Sequence, residues 1–151
     1  MKVFTLLTAF MAATVGAQKL SQAEAQSRLQ AAGITAVSSG GCTNRNVATC
    51  TSYEQINSAT VAGAITLRNA CACTLTITGG TETGHASGTY SHWNGYKLDF
   101  RKTTALNSYV TNTFTRIANR GDGYPQWQAR SGNIYCDEGN HWDVTFYTNG
   151  S

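Results

Sequence analysis

Charged residues are scarce in this chain. Only 13% of its 151 residues are Asp, Glu, Lys or Arg, the formal net charge is +3, and no run of Lys and Arg forms a stripe. That excludes the electrostatic footprint of a nucleic-acid binder and leaves at most a weak attraction to anionic cell walls. Long apolar runs are missing as well. Spanning a bilayer takes about 20 apolar residues, whereas the stretch from Val3 to Val15 is shorter and no second run follows it, so no membrane partner is expected. Proline occurs once against fifteen glycines. With plentiful Thr, Ser, Asn and Ala, that balance suits an extracellular protein with many turns.

What is present at the N-terminus agrees with this. Lys2, the apolar stretch after it and Val15-Gly16-Ala17 have the layout of a secretory signal over residues 1–17, ending in a small-residue cleavage site. The mature chain is expected to start near Gln18 as a secreted protein. Residues 18–151 are expected to form a single domain and a monomer, since domains commonly run to about 100–150 residues. All five cysteines (Cys42, Cys50, Cys71, Cys73 and Cys136) fall in that part, where secretion makes disulfides the default reading. Cys42 and Cys50 enclose a short polar loop and are expected to pair. Cys136 is then expected to close a long loop to Cys71 or Cys73, which parity does not choose between. A zinc knuckle at Cys71-Ala72-Cys73 lacks a second ligand pair of recognised spacing.

Ser21 followed by Glu24 makes a capping box, and the Ala- and Gln-rich run to Ala32 stops at Gly33, which predicts a short helix. A second helix is predicted from Ser52, with Tyr53, Ile56, Ala64 and Leu67 on one face before Asn69. From Cys73 the pattern alternates, Leu75 and Ile77 against Thr74, Thr76 and Thr78, until Gly79-Gly80 breaks it. Leu106, Val110 and Ile117 predict a third helix over Thr104 to Asn119, with Arg116 and Arg120 at its end. Further strands are predicted at Tyr96–Arg101, Gln126–Arg130, Asn133–Asp137 and His141–Thr148. The expected fold class is α+β, with helices on one face of a small, mainly antiparallel sheet and chemistry on the open face.

Two stretches carry that chemistry: Ser91-His92-Trp93-Asn94-Gly95-Tyr96-Lys97-Leu98-Asp99 and Glu138-Gly139-Asn140-His141-Trp142-Asp143. Strand parity sends Leu98, Trp142, Val144 and Phe146 to the core, and so turns Asp99, His141 and Asp143 to the other face. His92, just before the Gly95 turn, is placed to join them. Two His and one Asp suit zinc, with a fourth position left for water. Gly139-Asn140 is a tight-hairpin pair that brings Glu138 beside the metal without making it a ligand. A carboxylate there serves as a general base toward water acidified by the ion, and Asp143 is placed to support a ligating imidazole by a hydrogen bond.

At these residues the sequence resembles the D-alanyl-D-alanine carboxypeptidase and dipeptidase superfamily of zinc peptidases, which shares its fold with the hedgehog signalling domain. The family pattern is Ser-x-His-x-x-Gly-x-Ala-x-Asp with a later Glu-x-x-His. This chain keeps the six-residue gap from His92 to Asp99, Gly95, and the spacing from Glu138 to His141. Ser91 adjoins the histidine directly, and Lys97 with Leu98 replaces the small-apolar pair. The resemblance implies Zn2+ as cofactor, His92, Asp99 and His141 as its ligands and Glu138 as the catalytic base. Many members carry an arginine shortly after the strand equivalent to Cys73–Thr78, where it steadies the oxyanion. Here that region runs from Gly79 to His85 with no arginine, and His85 is expected to donate a hydrogen bond in its place.

The expected function is therefore secreted, zinc-dependent hydrolysis of amide bonds in peptidoglycan stem peptides or D-Ala-containing peptides. The alternative is a metal-bound binding or signalling module without catalysis. Glu138 separates the two, because a purely structural zinc needs no base at that spacing.

Overall fold

The computed structural model describes residues 18–147. The expected signal segment, 1–17, and the end of the last expected strand lie outside the described residues. Strand β1 (Lys19–Leu20) leads into helix α1 (Gln22–Ala31), which begins as the sequence predicts: the Ser21 hydroxyl accepts the Glu24 N–H. Strand β2 (Thr35–Ala36) and a long polar loop follow. Helix α2 (Ser58–Cys71) starts six residues later than expected. Gln55 has a φ of +64°, which a helix does not tolerate. Ile56–Asn57 form strand β3 instead, antiparallel to β1 and seating Leu20 and Ile56 in the core.

The expected third helix also divides. Helix α3 (Thr104–Thr113) is capped by the Thr103 hydroxyl and ends at Phe114, whose backbone is extended. Phe114 packs on Tyr109 and Tyr135, and Thr115–Ile117 become strand β6. Two β-branched residues in three favour that state over a further helical turn. Arg120 thus lies in a loop rather than a last helical turn. The remaining strands are β4 (Thr76–Gly79), β5 (Lys97–Arg101), β7 (Gln126–Gln128), β8 (Ile134–Asp137) and β9 (His141–Thr145).

The larger sheet has the order β2-β4-β5-β9-β8-β7-β6; only the β2–β4 pairing is parallel. Along its centre Ile77, Leu98, Phe100, Tyr135, Trp142 and Val144 are fully buried and share one core with Ala25 and Leu29 of α1, Val61, Ala64 and Leu67 of α2, and Leu106 and Val110 of α3. The architecture is α+β with a mainly antiparallel sheet and the helical residues gathered on one side, as the alternation predicts. No helix among the described residues is long and apolar enough to cross a membrane.

The Cys42–Cys50 bridge forms as expected. The second bridge does not. Cys71 pairs with Cys73 and Cys136 stays free and buried. Ala72 takes a left-handed turn at the end of α2, φ +47°, which brings its two neighbours together with Cα atoms 5.1 Å apart. Cys136 follows the core residue Tyr135 on β8 and pairs in register with Asp143, so it points to the opposite side of the sheet from Cys73, a member of the core. Burial pushes its thiol up to about 11 despite Arg120 nearby. The disulfides fit an oxidising compartment.

Candidate metal centre

The second face of β5 and β9 is not open but roofed. Asp99 and Asp143 are register partners across the two strands, and both turn away from the helices because their neighbours Leu98, Phe100, Trp142 and Val144 turn toward them. Yet Asp99 and Asp143 are only 6% and 4% exposed. The residues that follow β4, from Gly80 to Asn94, lie over them. Two glycines allow that approach. A Cβ at Gly79 would sit 2.4 Å from Asp99 Oδ2, and one at Gly80 would sit 2.0 Å from the Ser52 carbonyl oxygen, so a side chain at either position would displace the Asp99 carboxylate or the Ser52 backbone. Gly95 closes the return into β5 with a φ of +84°, and its N–H donates to the His92 carbonyl.

His92 is the pivot. Its Nδ1 lies 2.9 Å from the Gly80 carbonyl, an acceptor only, so Nδ1 carries the proton and donates. Nε2 then faces Asp99 Oδ1 at 3.2 Å and Asp143 Oδ1 at 3.4 Å. His85 stacks on His92 with ring centroids 3.8 Å apart, its Nε2 on Glu82 and its Nδ1 4.0 Å from Asp99 Oδ2. His141, the last of the chain's three histidines, reaches to 3.7 Å from Asp99 Oδ1 and 3.1 Å from Glu138 Oε2 through Nε2. The hairpin that carries Glu138 is the expected one: Gly139 has a φ of +91°, and the Glu138 N–H donates to the His141 carbonyl. These groups line a pocket of about 580 Å³ with Tyr90, Lys97 and Arg120.

Charge in the pocket is dense and unevenly satisfied. Asp143 Oδ2 accepts from both Lys97 Nζ and Arg120, each at 2.8 Å, and Arg120 also bridges to Glu138 Oε1 and Asp122. Burial alone would raise the Asp143 pKa, but His92 and Lys97 hold its carboxyl far below the usual carboxylate range. Burial alone would likewise lower that of His92; the carboxylates Asp143 and Asp99 outweigh it and raise the imidazole to about 10. Asp99 Oδ1 and Asp143 Oδ1 nevertheless receive no well-aligned hydrogen bond. Buried carboxylate oxygens left that way are costly. A cation between them and Nε2 resolves the mismatch, either a proton on His92 or a metal ion.

The donor set suits the metal. His85, His92 and Asp99 offer ligand atoms all within 4.8 Å of one another, and imidazole with carboxylate is a combination that divalent zinc accepts. Of the expected ligands, His92 and Asp99 converge directly, while His141 approaches Asp99 with its Nε2 also on Glu138. Three participants went unnoticed in the sequence. Lys97 appeared only as a departure from a motif, Arg120 as the end of a helix, and Glu82 not at all. The spacing of Glu82 three residues before His85, directly after two adjacent glycines and a threonine, was the available signal. Comparison with protein-family models, curated proteins and solved structures finds no match to this chain.

Proposed function

We propose that the chain is a zinc-dependent peptidase whose metal is held by His92, Asp99 and His141, with Glu138 as general base. The single observation that carries this reading is the pair of buried, unpartnered oxygens on Asp99 and Asp143 facing His92 Nε2, with a carboxylate outside the ligand cluster at hydrogen-bond distance from His141. When bound, the ion supplies Lewis acidity: it polarises an amide carbonyl and acidifies water to a pKa of about 7.

The chain's own groups do the rest. Gly80 holds His92 in the tautomer that presents a lone pair, and Asn140 Oδ1 does the same for His141 through Nδ1, at 2.5 Å. Glu138 Oε1 is pinned by Arg120, which leaves Oε2 to take the proton of an attacking water and hand it to the leaving amine. Arg120 has five N–H donors. One on Nε and one on Nη2 go to Asp122, the second on Nη2 to Glu138 and one on Nη1 to Asp143, leaving one on Nη1 for the oxyanion. His85, the expected oxyanion donor, has its Nε2 on Glu82, which makes the arginine the better placed of the two.

The substrate class to test is the peptidoglycan stem peptides that the motif resemblance implies; Lys97 and Arg120 already pair with Asp143, Glu138 and Asp122. The test incubates the mature protein with peptidoglycan fragments and with D-Ala-terminated peptides, comparing zinc-loaded protein, chelated protein and Glu138→Ala. Product from the zinc-loaded protein alone is expected. Equal product from all three would end the catalytic reading, and zinc uptake without any product would favour the metal-bound binding module.

A further inference from the structure

Glu82 is a carboxylate buried to 2% exposure behind His85 of the pocket, and the proposed hydrolysis gives it no role. Its position is fixed by backbone. Oε1 accepts the N–H groups of Ser52 and Gly80, both at 2.9 Å, and Oε2 accepts Gly80 again at 3.1 Å. The neighbouring Thr81 hydroxyl ties the same turn to the carbonyls of Ser52 and Glu54. What this anchored carboxylate presents to the pocket is one contact, Oε2 to His85 Nε2 at 2.5 Å.

The consequence is chemical. An ionised carboxylate can only accept, so Nε2 of His85 carries the proton and Nδ1 is left with its lone pair. That lone pair lies 4.0 Å from Asp99 Oδ2. His92, stacked against it at an interplanar angle of 17°, is arranged in the same way, its outer nitrogen donating to Gly80 O and its inner nitrogen turned to Asp99. A single residue thus mounts both rings. The Gly80 N–H fixes Glu82 and through it His85, and the Gly80 carbonyl fixes His92 directly. Side by side, two lone pairs and a carboxylate repel one another unless a cation lies between them, and carboxylate to imidazole to metal is the recurrent way of orienting a histidine ligand.

We propose that His85, oriented by Glu82, is a ligand of the metal in this pocket, so that His85, His92 and Asp99 form the roofed half of the coordination shell and His141 approaches from the hairpin side. This rests on the reading that the pocket holds a metal, and it assigns His85 to the ion rather than to the oxyanion. Three imidazoles and a carboxylate make a nitrogen-rich site, suited to zinc and to other divalent ions late in the first transition row, at which water would enter as a fifth donor. Glu82 is a positioning residue: it touches no substrate and acts through the tautomer of His85.

The experiment titrates metal-free protein with Co2+ and follows visible absorption, with zinc competition to obtain affinity. His85→Phe keeps the stacking on His92 and removes the ligand nitrogen; because His85 is partly exposed, the substitution is compatible with the fold. Glu82→Gln keeps an acceptor for the backbone N–H groups and loses the fixed charge. Affinity is expected to fall about 10–100-fold in Glu82→Gln and further in His85→Phe, with the cobalt band shifted in His85→Phe as one nitrogen leaves. Unchanged affinity and an unchanged band in His85→Phe would overturn the proposal while leaving the metal centre standing. A wild-type protein that takes up no cobalt would overturn both.

Discussion

On β5 and β9 the side chains facing the helices and those facing the pocket alternate along one backbone, yet differ in nearly every physical respect. Leu98, Phe100, Trp142 and Val144 are apolar and fully buried in a continuous core; even the Trp142 indole N–H finds Asn107 Oδ1 at 2.8 Å. Asp99 and Asp143, one residue away, are almost as deeply buried but ionisable and incompletely satisfied. The first face is what a fold needs for stability. The second works against it; Lys97 and Arg120 offset part of the charge, and a proton on His92 or a bound metal ion would complete the rest. Departures from local consistency of this kind are where function is expected.

If the two faces are separate in this sense, core substitutions should act on stability and pocket substitutions on metal and chemistry. Phe100→Ala is the strongest test of the first half. Truncating a fully buried aromatic typically costs about 3–5 kcal/mol, seen as a lower denaturant midpoint, while metal affinity measured well below the transition should change much less. A large affinity loss in still-folded protein would break the separation.

The pocket face should instead respond to pH. In metal-free protein the His92 pKa is raised from 6.5 to about 10, so the stability that its protonation contributes is fully present below about pH 6.5 and is lost as pH rises through about 10. A tenfold gain in proton affinity on folding corresponds to about 1.4 kcal/mol, which makes the total a few kcal/mol. Unfolding curves between pH 6 and 10.5 should show this decline in wild type and a flatter profile in His92→Gln. Bound metal takes the place of the proton, so loaded protein should also be flatter.

Arg120→Ala sharpens the comparison within the pocket, since it removes the bridge between Glu138 and Asp143 without touching a ligand atom. Loss of these contacts together with the oxyanion donor should cost about 100–1,000-fold in activity, and kcat should fall more than KM rises. Smallest is Thr103→Ala at the start of α3, where loss of the cap should cost about 1 kcal/mol in thermal unfolding and leave metal affinity unchanged.

How far the sequence revealed these two faces depended on the range of the interactions. Alternation on β5 and β9 was legible because it is local and has period two, and so were the Ser21 cap and the Gly139-Asn140 hairpin. Where a distant partner decided the outcome, local pattern misled. The Ser52 helix lost its first residues to strand pairing with Leu20, and the Thr104 helix lost its last turns, from Phe114 on, to the aromatic seat of Phe114 and to pairing with β7. The same misreading hid Arg120, which reaches the pocket only because that helix stops early. Spacing singled out His92, Asp99, Glu138 and His141, and the fold brings all four to one pocket. Glu82 was not singled out, because its significance lies in backbone donors from Ser52, thirty residues earlier, and in the room that Gly80 leaves.

Direct zinc titration of chelator-treated mature protein tests whether this pocket is a metal centre. Uptake of one zinc per chain is expected, with a higher thermal midpoint in excess ion, as for a ligand that binds only the native state, and loss of both in Asp99→Asn. Failure of the wild-type protein to bind zinc, or equal binding by Asp99→Asn, would contradict a metal centre here.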